Sequence, residues 1–150
     1  LSGLGEKYLY RQLVLIKDKE RNIAEMTGIL DNMNDQDLQD LAAYFNAQDM
    51  VVGQADPDLV DQGAALYRGG NMATGVPACA GCHNPQGVGN EPAGYPALGG
   101  QNAEYLIKQL NAYRDGSRDA GTNASIMMDV ASKLADAEIE AVSSYISGLN

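Results

Sequence analysis

The chain is poor in the side chains that build metal and thiol chemistry: its 150 residues hold two cysteines and one histidine. It also lacks any uninterrupted apolar run approaching the roughly 18 residues of a membrane-spanning helix. Basic residues are scarce, ten against twenty acidic, and the formal charge of −10 argues against nucleic acid or an anionic membrane as the main partner. A basic protein surface is the better counterpart. The start at Leu1 shows no Met, no basic stretch and no apolar signal segment, so a processed or truncated product is expected. With 45% apolar and 20% charged residues, the composition is that of a globular chain.

An internal repeat organises the chain. A shift of 97 places lays Leu1, Gly3, Tyr8, Leu9, Gln12, Leu13, Asp18 and Arg21 on Leu98, Gly100, Tyr105, Leu106, Gln109, Leu110, Asp115 and Arg118. The shift then becomes 101, and Met26, Asp35 and Tyr44 fall on Met127, Asp136 and Tyr145. Each copy reads helix, loop, helix, with apolar residues at helical spacing. In the first copy Leu9, Leu13 and Ile16 form one apolar face, and a helix opened by Asp35 carries Leu38, Leu41, Tyr44 and Phe45 on another. In the second, Asp136 is read as the N-cap of the last helix. Residues 48–57 form an acidic linker, and residues 59–67 an amphipathic helix whose Gly63 and Tyr67 would let the last helix, with Tyr145, cross closely.

The two cysteines and the histidine fall together as Cys79-Ala80-Gly81-Cys82-His83, inside a Gly/Pro-rich loop too long to organise itself. This spacing is the attachment pattern of haem c: two thiols join the vinyl groups along one porphyrin edge, and the adjacent imidazole reaches the iron. Three plainer readings compete. A redox dithiol needs no adjacent histidine and follows a strand. A structural zinc site needs four ligands. A disulfide at this spacing closes too short a loop to stabilise much.

One histidine excludes bis-histidine ligation within the chain, so a sixth ligand, where the protein provides one, should be one of the six methionines. Met72 is too close to the cysteine block to cross the haem easily, whereas Met127 and Met128 lie beyond the next helix on a fresh strand of chain. The repeat selects Met127, because Met26 precedes Met33 by the seven residues that separate Met127 from Leu134. Pro96 is the candidate to offer its carbonyl to the free ring nitrogen of His83, the plainer reading being an ordinary turn proline.

On the stretches QGAALYRGG from Gln62, CAGCH from Cys79, GVGN from Gly87, YPALGGQ from Tyr95, YLIKQL from Tyr105 and IMMDVASKL from Ile126, the sequence resembles the cytochrome c4 family of dihaem class I c-type cytochromes. YLYRQL from Tyr8, EMTGIL from Glu25 and DQDLQDLAAYF from Asp35 extend the resemblance across the chain. The resemblance implies an all-α class I cytochrome c fold: residues 1–47 as the C-terminal half of a first module, 48–57 as linker, and 58–150 as a complete haem module. It implies haem c held by Cys79 and Cys82, iron ligated by His83 and Met127, Pro96 bonded to the histidine, and Met26 as the axial ligand of a first haem.

The family's role is electron carriage in the periplasm, between a quinol-oxidising complex and a terminal oxidase, with no enzymatic activity of its own. The departure is the absent first Cys-x-x-Cys-His; the expectation is a fragment whose second haem would need the missing segment, the competing reading being a one-haem relative whose first module is degenerate. Two rival functions are a ligand-binding or peroxidase-like haem domain and a fixed haem subunit of a respiratory complex. Partners are expected to be redox proteins with basic docking surfaces, with membrane association only through them.

Overall fold

The structure, a computed structural model, describes residues 1–149. Seven α-helices follow one another among the described residues: α1 (Glu6–Lys17), α2 (Asp35–Asn46), α3 (Val60–Gly69), α4 (Ala80–His83), α5 (Ala103–Arg114), α6 (Ala124–Ser132) and α7 (Asp136–Ser147), with a 3-10 turn at Ala24–Met26. None is long and apolar enough to cross a membrane.

α7 is the centre of the larger unit. Every residue from Ile139 to Ser147 except Glu140 is buried, because three neighbours cover three sides of the helix. α3 crosses it where Gly63 leaves no room for a side chain: a Cβ there would lie 2.2 Å from the Ala141 carbonyl oxygen and 2.5 Å from the Tyr145 Cβ. That close approach brings the Tyr67 and Tyr145 rings to 5.6 Å. α5 packs on a second side. The acidic linker lies along the third, with the Gly53 N–H donating to Ser147 O at 2.9 Å and the Asp56 N–H to Ser144 Oγ at 2.8 Å. Ser144 and Ser147 are thus the polar seam on which the linker is laid. Leu66, Val76, Leu106, Leu134, Ile139, Val142 and Ile146 complete this core.

The smaller unit is the pair α1 and α2, closed around Leu4, Leu9 and Ala42 with Met50 packed against them. On α1 the buried residues are Leu9 and Leu15, while Ile16 turns to a separate cleft. Two expectations are corrected here. Tyr44 does not join the apolar face of α2: it stands 61% exposed, because no helix in this unit covers that side. Asp136 is the first helical residue of α7 rather than its cap, while Asp35 opens α2 as expected. Asn34 caps α2 reciprocally with Asp37, and Glu138 reaches back to the Ala135 N–H at the start of α7.

Candidate functional site

The loop after α3 makes two narrow hairpin-like bends, pinned by isolated bridges between Asn71 and Val76 and between Asn90 and Tyr95. Between them the single turn α4 carries Cys79, Cys82 and His83 onto one wall of a large apolar cavity. Leu106, Leu134, Val142 and Ile146, supplied by α5, α7 and the turn between α6 and α7, form its floor.

Both thiols are free, Cys79 half-buried and Cys82 exposed. Burial pushes the Cys79 thiol up to about 11, the opposite of the depressed value a redox dithiol uses. Among the described residues no group of three or more His, Cys, Asp or Glu side chains is close enough to hold a metal ion, so a zinc site lacks its donors. His83 is buried, and its Nδ1 lies 2.9 Å from the Pro96 carbonyl oxygen. Burial lowers the imidazole's pKa, with the Pro96 carbonyl opposing the shift. A neutral ring with Nδ1–H donated to a carbonyl keeps Nε2 as a free lone pair, the form that ligates a metal.

The structure brings Met127 onto the same cavity as His83 and does not bring Met128 there. Met128 turns toward the end of α5, its methyl 3.9 Å from where a Cβ on Gly116 would sit. Met72 is 97% exposed. Met26 lies in the smaller unit, in a different cleft shared with Ile16, Ile23 and Leu30. Two thiols, a buried neutral imidazole and a thioether around one apolar cavity are the donor set that haem c requires, and the residues present fit the group.

The polar rim of the cavity was not foreseen from the sequence. Arg118 is 9% exposed, lies 4.5 Å over the Tyr113 ring, and donates to Gln109 Oε1 at 2.6 Å and to the Tyr8 hydroxyl at 2.8 Å. Arg21 donates to Gln12 Oε1 at 2.6 Å and, at 3.3 Å, to the Tyr105 hydroxyl. Each arginine therefore bonds the glutamine of its own unit and the tyrosine of the other. The signal was already present: Tyr8, Gln12 and Arg21 are the positions that recur as Tyr105, Gln109 and Arg118. Equivalent residues meeting across equivalent surfaces give a self-complementary junction, the geometry of a two-fold dimer within one chain. The smaller unit is consequently a wall of the cavity, through Leu4, Tyr8, Arg11 and Gln12.

The helices, the cavity and its donors together define a c-type cytochrome of the class I fold. The cytochrome c family profile matches residues 60–150. Cytochrome c4 of Pseudomonas aeruginosa is 55% identical over all 150 residues of this chain and 75% of its own length, and the chain belongs to the cytochrome c4 family. The crystal structure of reduced recombinant cytochrome c4 from Pseudomonas stutzeri superposes with a TM-score of 0.94 at 51% identity, covering 99% of this chain and 83% of that one. A thiosulfate dehydrogenase electron acceptor of Thiomonas intermedia is 35% identical, over 98% of this chain and 68% of that protein. The chain is a haem electron-transfer protein, and its cofactor is haem c.

Proposed function

We propose that the chain carries single electrons in the periplasm, from a quinol-oxidising complex or a comparable donor to a terminal oxidase. The observation that supports this most is the pairing of His83 with Met127, and not Met128, on one cavity. Cys79 and Cys82 would hold the haem covalently, His83 and Met127 would ligate its iron, and the Pro96 carbonyl, 2.9 Å from His83 Nδ1, would orient the imidazole. Bound haem supplies a one-electron ferric–ferrous couple. The chain's own part is to hold both ligands through the redox change and to keep water out with its apolar floor, so that little rearrangement accompanies each transfer. Arg118, which lines the cavity and is buried without a carboxylate partner among the described residues, would offer positive charge to the acid groups of a bound haem. Given a first attachment segment, Met26 would serve a second haem.

The donor and acceptor are redox proteins with basic docking surfaces, since a charge of −10, spread as −4 over residues 1–50 and −6 over 51–150, steers association toward positive patches. The relatives named as thiosulfate dehydrogenase electron acceptors favour a sulfur-oxidising enzyme as a second donor reading.

Carbon monoxide added to the reduced protein separates a carrier from a ligand-binding haem domain. The wild type is expected to resist it at neutral pH, Met127→Ala to bind it, and Met128→Ala to behave as wild type. Binding by the wild type would defeat the proposal. A shuttle also leaves its partner in high salt, whereas a fixed subunit of a respiratory complex stays bound.

A further inference from the structure

The loop that carries Pro96 is held from two sides. On its inner side it folds on itself, with the Gly89 N–H donating to His83 O at 3.0 Å and the Leu98 N–H to Gly87 O at 2.7 Å. On its outer side, residues 91–97 are gripped by the start of α1 in the other unit. Glu91 Oε1 accepts from the Lys7 N–H at 2.7 Å, Lys7 Nζ donates to Pro92 O at 2.7 Å, and the Ala97 N–H donates to Leu4 O at 3.2 Å.

α1 has no side-chain cap of its own, so Glu91 supplies the anion that its first-turn N–H groups favour. Gly5 makes room for it: a Cβ there would lie 2.5 Å from Glu91 Oε2.

The Leu4 contact has a specific target. The Pro96 carbonyl and the Ala97 N–H belong to one planar peptide unit. One edge of that plane faces His83 Nδ1 at 2.9 Å and the other faces Leu4 O. Turning the peptide to break one bond misaligns the other, and two bonds in series through one peptide polarise each other. We infer that Leu4, Lys7 and Glu91 form an inter-unit latch that orients the Pro96–Ala97 peptide on His83, with Glu91 as a positioning residue for the iron's histidine ligand. The smaller unit thereby adjusts the electron donation of the imidazole in the larger one. This rests on the reading that His83 ligates iron.

The test uses the haem-loaded protein. In the ferric wild type, His83 ring protons carry the large paramagnetic shifts of an iron ligand, and their absence would overturn the ligation reading and the latch with it. Given those shifts, Glu91→Ala is expected to speed solvent exchange of the His83 Nδ1–H about tenfold, the value of one ordinary hydrogen bond. It should also raise the reduction potential, because a weaker bond leaves a less basic ligand and a less stable ferric state. Glu91→Gln, whose amide oxygen can still accept from the Lys7 N–H, should restore most of both. Unchanged exchange and potential in a folded Glu91→Ala protein would reduce Glu91 to a helix cap and overturn the proposal. Should Glu91→Ala fail to fold, Lys7→Met removes only the bond to Pro92 O. It is expected to move both readouts in the same direction by less, and no movement overturns the latch.

Discussion

Residues 44 and 145 hold matching places in the two copies and both are tyrosine, yet Tyr44 is 61% exposed and Tyr145 only 7%. The helices that carry them are equally long, twelve residues each. What differs is the partner. α7 is crossed by α3 at Gly63, whereas α2 packs chiefly on α1. The same contrast holds at the methionines. Met127 rides on the nine-residue α6, which α5 supports, and Met26 sits in a three-residue 3-10 turn. Two stretches of similar sequence therefore reach different burial because burial belongs to the pair of surfaces, and among the described residues the second surface is present in only one unit.

This contrast sets the largest expected effect. Tyr145→Ala removes a buried ring from between α3 and α7 and should cost about 3–5 kcal/mol, as large aromatic truncations in cores do. Tyr44→Ala should stay within about 0.5 kcal/mol, because its ring touches mainly Phe45, edge-on at 5.3 Å. Urea unfolding of the haem-loaded proteins measures both. Equal losses would mean that the α2 tyrosine is covered in solution, and the contrast would fall.

The sequence was most legible where chemistry is local. Cys79, Cys82 and His83 are adjacent residues on one turn of helix, and Met127 followed from the register of the repeat. The close crossing at Gly63 was legible for a related reason, a glycine and a tyrosine spaced one turn apart facing another tyrosine. Contacts that join the units were harder to read: the repeat marks Tyr8 and Arg118 as recurring positions without saying that they meet, across 110 residues, and nothing marks Glu91 for Lys7, 84 residues away. No periodicity encodes such distances. The exposure of Tyr44 was missed for the converse reason: a helical apolar stripe shows which side of a helix can be buried, and says nothing of whether anything covers it.

The arginine junction tests the comparison at intermediate size. Arg118 is buried and its bond across the units is 2.8 Å, while Arg21 is half-buried and its bond to Tyr105 is 3.3 Å. Arg118→Ala leaves the Tyr8 hydroxyl without its donor and Gln109 Oε1 with only the 3.4 Å bond from Arg21, and strips the cation from the Tyr113 ring, for about 2–3 kcal/mol. Arg21→Ala should cost about 1 kcal/mol or less. Arg118→Lys should recover only part, because an ammonium cannot reproduce a planar guanidinium bonded at two ends. A junction that is symmetric in energy as well as in connectivity would show equal losses for the two alanine variants.

The smallest effect lies at the caps, where the smaller unit is the better built. Asn34 accepts from the Asp37 N–H at 3.1 Å while Asp37 reaches back to the Asn34 N–H at 2.7 Å, so both halves of the capping box are made. The matching pair in the second copy is Ala135 and Glu138, and only the return bond exists there, from the Ala135 N–H to Glu138 Oε2 at 2.9 Å. Ala135 already has the extended backbone of a cap, φ −78° and ψ 159°, and is exposed. Ala135→Ser should therefore add the missing acceptor without strain and raise the urea midpoint by the equivalent of about 0.5–1 kcal/mol, while Asn34→Ala lowers it by about 1 kcal/mol. If Ala135→Ser gains nothing, the start of α7 is already held by the packing of its buried face. The asymmetry between the units would then lie entirely in which helix covers them.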